Sequence, residues 1–503
     1  MKVYLAGYNI DTTVLRQLQG KNPRSDATPE VLSAAYARIS RDPRAVNELR
    51  EDARKEIERA RKSNKTIIFK MGHHSVAEHA VFNLDIIGVS RLAMEEVEKF
   101  RLCSYTEKSQ RYITLEKGFV VPREIKGTRF EKHFIDLIDK QNEAYSYFVE
   151  ELKKYVFNKY KDLAANPGRH NLLEGWAKED ARYITALATE SQAGHTLNAR
   201  NLELLLRRFA SHPLREVQSL GREIYKEIAS VAPSIVLFHE ANDRDKNSYP
   251  DLKKLTRKII KPHSVNGDLY GNEVNLVEFT PGGDDVICAS LLHTLEELPY
   301  QKCKEIVKNM PPEDKREVFR TAWKNMQFYD SMLREFEYAS LTFNVILSAA
   351  CFGQLKRHRM ATITVQDYDP NLGNTIPESI KDIGGENKFL EIIDETNDLY
   401  EDIKKEIPLA APYVLTNSHR RRVLIRVNAR ELYHISRLRE DNHAQWDIRN
   451  IASGMSKEAK KVMPMTFELV GGKDRYNEIY KSIFGELPKV TEQILPSERK
   501  IKS

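Results

Sequence analysis

Two arginines flank a histidine in Gln354-Leu355-Lys356-Arg357-His358-Arg359. Adjacent guanidinium groups repel, so a fixed pair beside an imidazole points to a preformed anion site. The planar fork of arginine grips phosphate or a polarised carbonyl through two hydrogen bonds and keeps its charge. A solvated basic turn is the plain alternative, since basic clusters often do no more than meet water or a polyanion. What lifts this stretch above that reading is an echo, Lys99-Phe100-Arg101, in the first half of the chain. A second candidate is Gly72-His73-His74-Ser75-Val76-Ala77-Glu78-His79. Its histidines suggest a metal, yet no further carboxylate or cysteine cluster accompanies them, and no metal is expected.

The elements that must position these residues are legible from apolar spacing. The uncharged run Tyr338–Leu355 precedes the arginine motif. It is long enough to raise a membrane question, but it carries Ser340, Thr342, Asn344, Ser348 and Gln354 and stands alone. A buried strand running into a buried helix is expected there. Met1–Asp11 reads as a strand and turn, and Pro29–Ser63 as helix from three- and four-residue spacing. Phe130–Tyr160 reads as amphipathic helix, ended by the breaker Asn166-Pro167-Gly168. Leu202–Phe209 is a Leu-rich helix and Val274–Phe279 a strand.

The order of elements then repeats. Val81-Phe82-Asn83-Leu84-Asp85-Ile86 is mirrored by Ser340-Leu341-Thr342-Phe343-Asn344-Val345, and Asn198-Ala199-Arg200 by Asn428-Ala429-Arg430. The simplest account is an internal duplication of about 240 residues per copy, a fused pair and not a short-period solenoid. The expected division is 1–245 for the first copy, 246–268 for a polar, basic linker holding Pro250 and Pro262, and 269–503 for the second.

Composition sets outer bounds. A chain of 503 residues exceeds one compact core. Apolar content of 41% with 30% charged residues fits a globular protein of the cytoplasm. The start of the chain turns polar too early for a signal peptide, and no membrane association is expected. Cys103, Cys288, Cys303 and Cys351 form no C-x-x-C pair, which argues against a zinc ribbon or a disulfide scaffold. A net charge of +6 permits anionic ligands without favouring nucleic acid over nucleotides. The best nucleic-acid feature is His419-Arg420-Arg421-Arg422 with Arg426, which equally suits a small anion or water.

With both copies in view, the chain resembles the flavin-dependent thymidylate synthases. Their signature is R-H-R-x-x-S followed by x-N/S-E/Q-x-S-x-R-Y. H-x-S-x-x-E-H lies upstream, and an N-x-R helix continuing to R-x-x-x-x-A-Q-W-E-I-R lies downstream. The first copy keeps His73–His79, then Ser104, Glu107, Ser109, Arg111 and Tyr112, and Arg182 in an E-x-A-R match. Its R-H-R is Lys99-Phe100-Arg101, its preceding glutamine is Glu96, Phe209 holds the place of Arg439, and its A-Q-W is Leu214-Arg215-Glu216. The second copy keeps Gln354, Arg357-His358-Arg359, Asn428, Arg430, His434, Arg439 and Ala444-Gln445-Trp446. It has lost the glutamate, serine and arginine, with Asp369-Pro370 where R-Y would stand.

The resemblance implies an α+β fold, two tandem copies of a mixed or antiparallel sheet flanked by helices, arranged as a pseudo-dimer. It implies FAD as cofactor, NADPH and methylenetetrahydrofolate as co-substrates, and dUMP or a related pyrimidine nucleotide as substrate, with a homodimer of the fused chain rebuilding a tetramer-like assembly. Glu107, Ser109, Arg111 and Arg182 would hold substrate with Gln354 and Arg357. Arg439 would stabilise negative charge on the pyrimidine. Ser75, Glu78, Arg357, His358, Arg359, Asn428, Arg430 and His434 would hold the flavin. Because the halves lost are complementary, one composite site is expected to work and the other to have decayed. The alternatives are C5 modification of another pyrimidine nucleotide, or an inactive flavin- or nucleotide-binding homologue with a structural or regulatory role.

Overall fold

The computed structural model describes residues 1–11, 14, 28–39, 42–70, 72–261 and 273–489. It forms two compact units: Met1–Gly267 with Ile376–Ser418, and Asp268–Thr375 with His419–Ser503. Each unit is built on a four-stranded antiparallel sheet. In the first the order is β1 (Lys2–Tyr8), β2 (Val81–Ser90), β4 (Glu190–Asn198), β3 (Cys103–Glu107). In the second it is β5 (Val274–Phe279), β6 (Ser340–Ser348), β8 (Arg420–Asn428), β7 (Thr362–Val365).

The registers repeat as the sequence order does. Val81 lies opposite Asn198 and Ser104 opposite Thr196; Ser340 lies opposite Asn428 and Thr362 opposite Arg426. Val81 and Ser340 therefore hold one place in the two copies, as do Asn198 and Asn428. The strand-to-helix junctions repeat for a local reason. Ser90 and Ser348 end β2 and β6 as N-caps, accepting from the amides of Ala93 at 3.0 Å and Cys351 at 2.9 Å. Asn198 and Asn428 end β4 and β8 in the same way, accepting from Asn201 at 3.0 Å and Glu431 at 2.8 Å. Such a cap satisfies an orphan amide of the first helical turn and fixes where the strand stops.

The expected strand and helix of Tyr338–Leu355 are β6 and the helix Ala349–Leu355. The helix expected over Phe130–Tyr160 spans Glu131–Lys159, and the Leu-rich one spans Ala199–Ala210. The continuous helix expected over 29–63 is instead three helices, Glu30–Arg38, Val46–Lys55 and Ile57–Asn64. Pro43 lacks an amide donor, which breaks the run, and Glu56 leaves the helical region with φ −120° and ψ 61°. In the expected linker, residues 246–260 belong to the helix Asp243–Ile260, started by a capping box at Asn242 and burying none of its residues. Residues 262–268 lie outside the described residues.

The core of the second unit surrounds Trp323, Phe336, Phe343 and Tyr433. In the first unit the long helix Glu131–Lys159 packs on Glu386–Glu406, a helix contributed by the second copy of the sequence. Gln141 donates to Thr396 Oγ1 at 2.9 Å and to the Val414 carbonyl at 3.0 Å within that layer. The pairing beside it is reciprocal. Ala186 bridges Thr416 in antiparallel fashion. Leu187 N donates to Leu415 O at 2.7 Å and Asn417 N to Thr185 O at 2.9 Å; Ala188 N donates to Tyr413 O at 3.0 Å and Ser418 N to Tyr183 O at 2.9 Å. Equivalent residues of the two copies thus exchange equivalent bonds about a local twofold axis inside the first unit.

Candidate functional site

Glu107 ends β3 and is held from two sides. Arg91 Nη1 donates to both its carboxylate oxygens, at 2.9 and 3.0 Å, and Ser191 Oγ donates at 2.8 Å. Arg91, at the start of the helix Arg91–Val97, is 3% exposed, so this ion pair is buried. A buried pair is weak evidence of added stability, but removing one partner leaves an uncompensated buried charge. Just beyond, Ser109 Oγ accepts from the Arg111 amide at 3.1 Å, closing a turn. Arg111 Nη2 meets Glu179 Oε2 at 3.2 Å, and its guanidinium lies over Tyr112 at 5.3 Å. Arg182 is buried and donates Nε to the Glu179 carbonyl at 3.3 Å. Burial lowers its pKa, opposed by Tyr183 and Glu179 and reinforced by the charges of Arg111 and Arg91. An anion would relieve that repulsion. Arg182 Nη2 and Gln110 Nε2 are buried donors without a partner among the described residues. The first unit therefore brings together Ser109, Arg111 and Arg182 through Glu179, with Glu107 two residues before Ser109 at the end of β3.

Ser75 and Glu78 lie elsewhere in that unit, on the 3-10 turn His74–His79. Glu78 pairs with Arg200. The second unit holds the same pair in the same places: Arg430 Nη1 meets Glu337 Oε1 at 2.6 Å, and its Nε donates to the Met332 carbonyl at 2.8 Å. Among the described residues no group of His, Cys, Asp and Glu stands together as a metal site.

In the second unit the arginine motif follows the helix Ala349–Leu355. His358 is buried, Arg357 half-buried and Arg359 exposed. Arg439, at the end of the helix Ala429–Arg439, donates Nε to His358 Nε2 at 2.9 Å and Nη2 to the Gln354 carbonyl at 3.3 Å. Burial first, then the Arg439 charge, holds the His358 pKa down at about 3. Its imidazole is therefore neutral. Because Nε2 accepts, the proton sits on Nδ1, which faces Glu431 Oε1 at 3.6 Å. His434 meets the His358 ring edge-on at 5.7 Å. Burial also lowers the His434 pKa, against the pull of Glu431. Gln354 donates Nε2 to Gln445 Oε1 at 3.1 Å, which leaves Gln354 Oε1 a buried acceptor without a partner among the described residues. Asn428 spends its side-chain oxygen on capping the helix that carries Arg430, His434 and Arg439.

The first copy replaces this polar centre as a unit. Phe100 stands for His358 and Phe209 for Arg439, and the two rings pack edge-on at 6.1 Å, both buried. Glu96 stands for Gln354 and meets Lys99 and, at 3.5 Å, His212. Burial works to raise the Glu96 pKa, but His212 and Lys99 bring it to about 2. The A-Q-W counterpart needs correction. Ser90 Oγ donates to Glu216 at 2.7 Å, and Ser348 Oγ to Asp447 at 2.6 Å. Glu216 thus corresponds to Asp447, and A-Q-W to Pro213-Leu214-Arg215; the helix that follows starts at Arg215 in one copy and at Trp446 in the other.

Sequence reasoning missed Arg91 and Glu431 as partners of the site, because nothing local marks them; Gln445 stood in the A-Q-W motif, but its bond to Gln354 was not foreseen. The arginine run on β8 does not form one grip. Arg421 is buried over Tyr368 at 4.1 Å and donates to the Gln366 carbonyl at 2.8 Å, whereas Arg420 donates to Thr375 Oγ1 at 2.9 Å. Alternation along a strand sends neighbours to opposite faces. Among the described residues no helix is long and apolar enough to cross a membrane.

The model of the thymidylate synthase complementing proteins matches the chain twice, over residues 24–234 and 275–465. A "UPF0159 protein" of Chlamydia muridarum is 25% identical over 432 residues, 82% of this chain and 81% of its own. Another "UPF0159 protein", of Thermoplasma acidophilum, is 22% identical over 476 residues, 86% of this chain and 92% of its own. A "Flavin-dependent thymidylate synthase" of Clostridium tetani is 31% identical over 213 residues, 41% of this chain but 80% of its own. Four-fifths of that relative thus matches less than half of this chain, while the family model matches each half. The chain belongs to the flavin-dependent thymidylate synthase family, as two family domains in tandem.

Proposed function

We propose that the chain carries out flavin-dependent reductive methylation of dUMP to dTMP, with methylenetetrahydrofolate and NADPH, at a composite site assembled from the two copies. One observation carries the reading. The first copy keeps Glu107, together with Ser109, Arg111 and Arg182 joined through Glu179, but has Phe100 against Phe209 where the second has His358 bonded to Arg439. The second copy in turn has Val365, Asp367 and Asp369 where the first has Glu107, Ser109 and Arg111. Decay of an idle protein has no reason to spare complementary halves.

The residues present fit a flavin. Neutral His358 and the adjacent Arg357 and Arg359 offer polar groups with positive charge. Arg357, His358, Arg359, Asn428, Arg430 and His434 would hold it, with Ser75 and Glu78 from the first copy. When bound and reduced, the flavin supplies the hydride. Arg439 holds a fixed positive charge where the pyrimidine ring gains negative charge as its C5 turns nucleophilic. Gln354 Oε1 accepts from the base. Ser109, Arg111 and Arg182 hold the phosphate, with Glu107, two residues before Ser109, paired to Arg91. Two chains would restore the four-copy arrangement of the family. C5 modification of another pyrimidine nucleotide is the second reading, favoured by Thr362, Thr364 and Asp369-Pro370 at signature positions.

The test is single turnover by the purified chain. Its flavin absorbance is measured, the flavin is reduced anaerobically, and dUMP with methylenetetrahydrofolate is added. One flavin per chain, and dTMP abolished alike by Arg111→Ala and Arg357→Ala, is expected. Bound flavin without dTMP overturns thymidylate synthesis; no flavin overturns the reading of Arg357-His358-Arg359.

A further inference from the structure

Asn417 belongs to the second copy yet lies in the first unit, fully buried beside the turn that carries Ser109 and Arg111. Its Nδ2 donates to Gln110 Oε1 at 3.1 Å, to the Arg182 carbonyl at 3.1 Å and to Thr185 Oγ1 at 2.9 Å. One amide therefore ties together the residue between Ser109 and Arg111 and the residue that carries the second buried guanidinium. An amide has one acceptor end and one donor end. With Gln110 Oε1 taken by Asn417, Gln110 keeps Nε2 as a spare donor, and this atom is buried without a partner among the described residues. Arg182 Nη2 is in the same condition. Two orphan donors on residues joined by Asn417 favour an incoming acceptor, because a buried donor left unpaired costs free energy.

The two copies differ here in a correlated way. Under the reciprocal pairing of the copies, Leu187 holds the place of Asn417; under the strand registers, Tyr368 holds the place of Gln110. Beside the retained Ser109 and Arg111 stand Gln110 and, from the other copy, Asn417; the corresponding positions are Tyr368, between Asp367 and Asp369, and Leu187. A purely structural role at the junction of the copies would be served equally by leucine, as it is at Leu187.

We propose that Asn417 is a positioning residue for the phosphate of the nucleotide substrate. It presents the donors of Gln110 and Arg182 to the phosphate, so the second copy completes the anion site of the first. This rests on the functional reading above and adds a contribution to that site from the other copy.

The experiment uses the full chain with its flavin bound, and compares Asn417→Asp, Asn417→Leu and Gln110→Ala with the unaltered protein. The first replaces the donor with an acceptor at constant size; the second installs the residue of the other copy. The third removes the Gln110 amide while leaving the bonds of Asn417 to Arg182 and Thr185. Dissociation constants for dUMP and for deoxyuridine are read by calorimetry, alongside flavin content and melting temperature. Each variant is expected to bind dUMP about tenfold more weakly, as for the loss of one buried hydrogen bond. Deoxyuridine affinity and flavin content stay as they were. Gln110→Ala at unchanged dUMP affinity, or equal losses for dUMP and deoxyuridine, overturns the proposal while leaving thymidylate synthesis standing. Unaltered protein that binds no dUMP overturns the functional reading itself, and this role with it.

Discussion

Arg439 gives its Nε hydrogen to His358 Nε2 at 2.9 Å, and where the second copy has this pair the first has Phe209 against Phe100. Both members changed together. A lone arginine facing Phe100, or a lone histidine facing Phe209, would have been a buried polar group without a partner, which costs more than an apolar pair of similar shape.

That relationship makes the two pairs testable separately. Arg439→Ala removes the fixed charge and the donor to His358. Single-turnover dTMP formation is expected to fall about 10²- to 10³-fold, the scale for losing a preorganised charge at a reacting centre. The His358 titration should move upward from about 3, because the Arg439 charge is one of the two causes that hold it down. Nuclear magnetic resonance of labelled histidine reads the second effect independently of activity.

Phe209→Ala opens a cavity in the first unit's core. It is expected to cost about 3–5 kcal/mol of stability, read by denaturant midpoint, as for other buried phenylalanines. Flavin content per chain should stay the same. A change in flavin content would show that the first copy's sealed position still takes part in cofactor binding.

Glu107→Gln takes the charge from the buried carboxylate facing Arg91, which is 3% exposed. Breaking a buried pair from one side is expected to cost about 3–5 kcal/mol. Replacing both residues, Arg91→Met with Glu107→Leu, should recover most of that stability while nucleotide binding remains lost. Thermal melts and dUMP titrations separate the two outcomes.

His195 lies on β4 opposite Leu84 and Tyr105, 1% exposed, and neither ring nitrogen has a partner among the described residues. Burial lowers its pKa to about 4. Since the folded value lies below the ordinary 6.5, the unfolded chain takes up the proton first as pH falls. The stability this group contributes is complete above about pH 6.5 and is lost towards pH 4, at about 1.4 kcal/mol per pH unit. His358 adds a parallel loss down to its value of about 3. Ile425 holds the corresponding place in the second copy, opposite Phe343 and Ile363. His195→Ile is therefore expected to stabilise the protein at pH 7 and to flatten the stability profile between pH 6 and 4, measured by urea unfolding at each pH.

Much of this was legible in the residue string. The run Tyr338–Leu355 announced a strand and a helix, and Ser348 in its middle is the cap that divides them. The matched series Val81–Ile86 and Ser340–Val345, read as mirrors, hold the same register against β4 and β8. The surviving halves of the signature were visible because they are contiguous in sequence. The break at Pro43 was missed because the three- and four-residue spacing resumes beyond it. The A-Q-W counterpart was placed one residue late because nothing local distinguishes Glu216 as the partner of Ser90.

By itself the sequence determined the duplication, the capped strand-to-helix junctions and the complementary loss of motif halves, since these depend on residue type and spacing along the chain. The tertiary structure alone decided that Glu107 is clasped by Arg91 and Ser191, that His358 is neutral with its proton on Nδ1, and that Asn417 of one copy bonds Gln110 and Arg182 of the other. Each is a meeting of residues distant in sequence. Which carboxylate meets which guanidinium depends on strand register, where a slip of one residue turns every side chain to the other face. Whether a buried imidazole holds a proton depends on the charges and burial that packing brings around it.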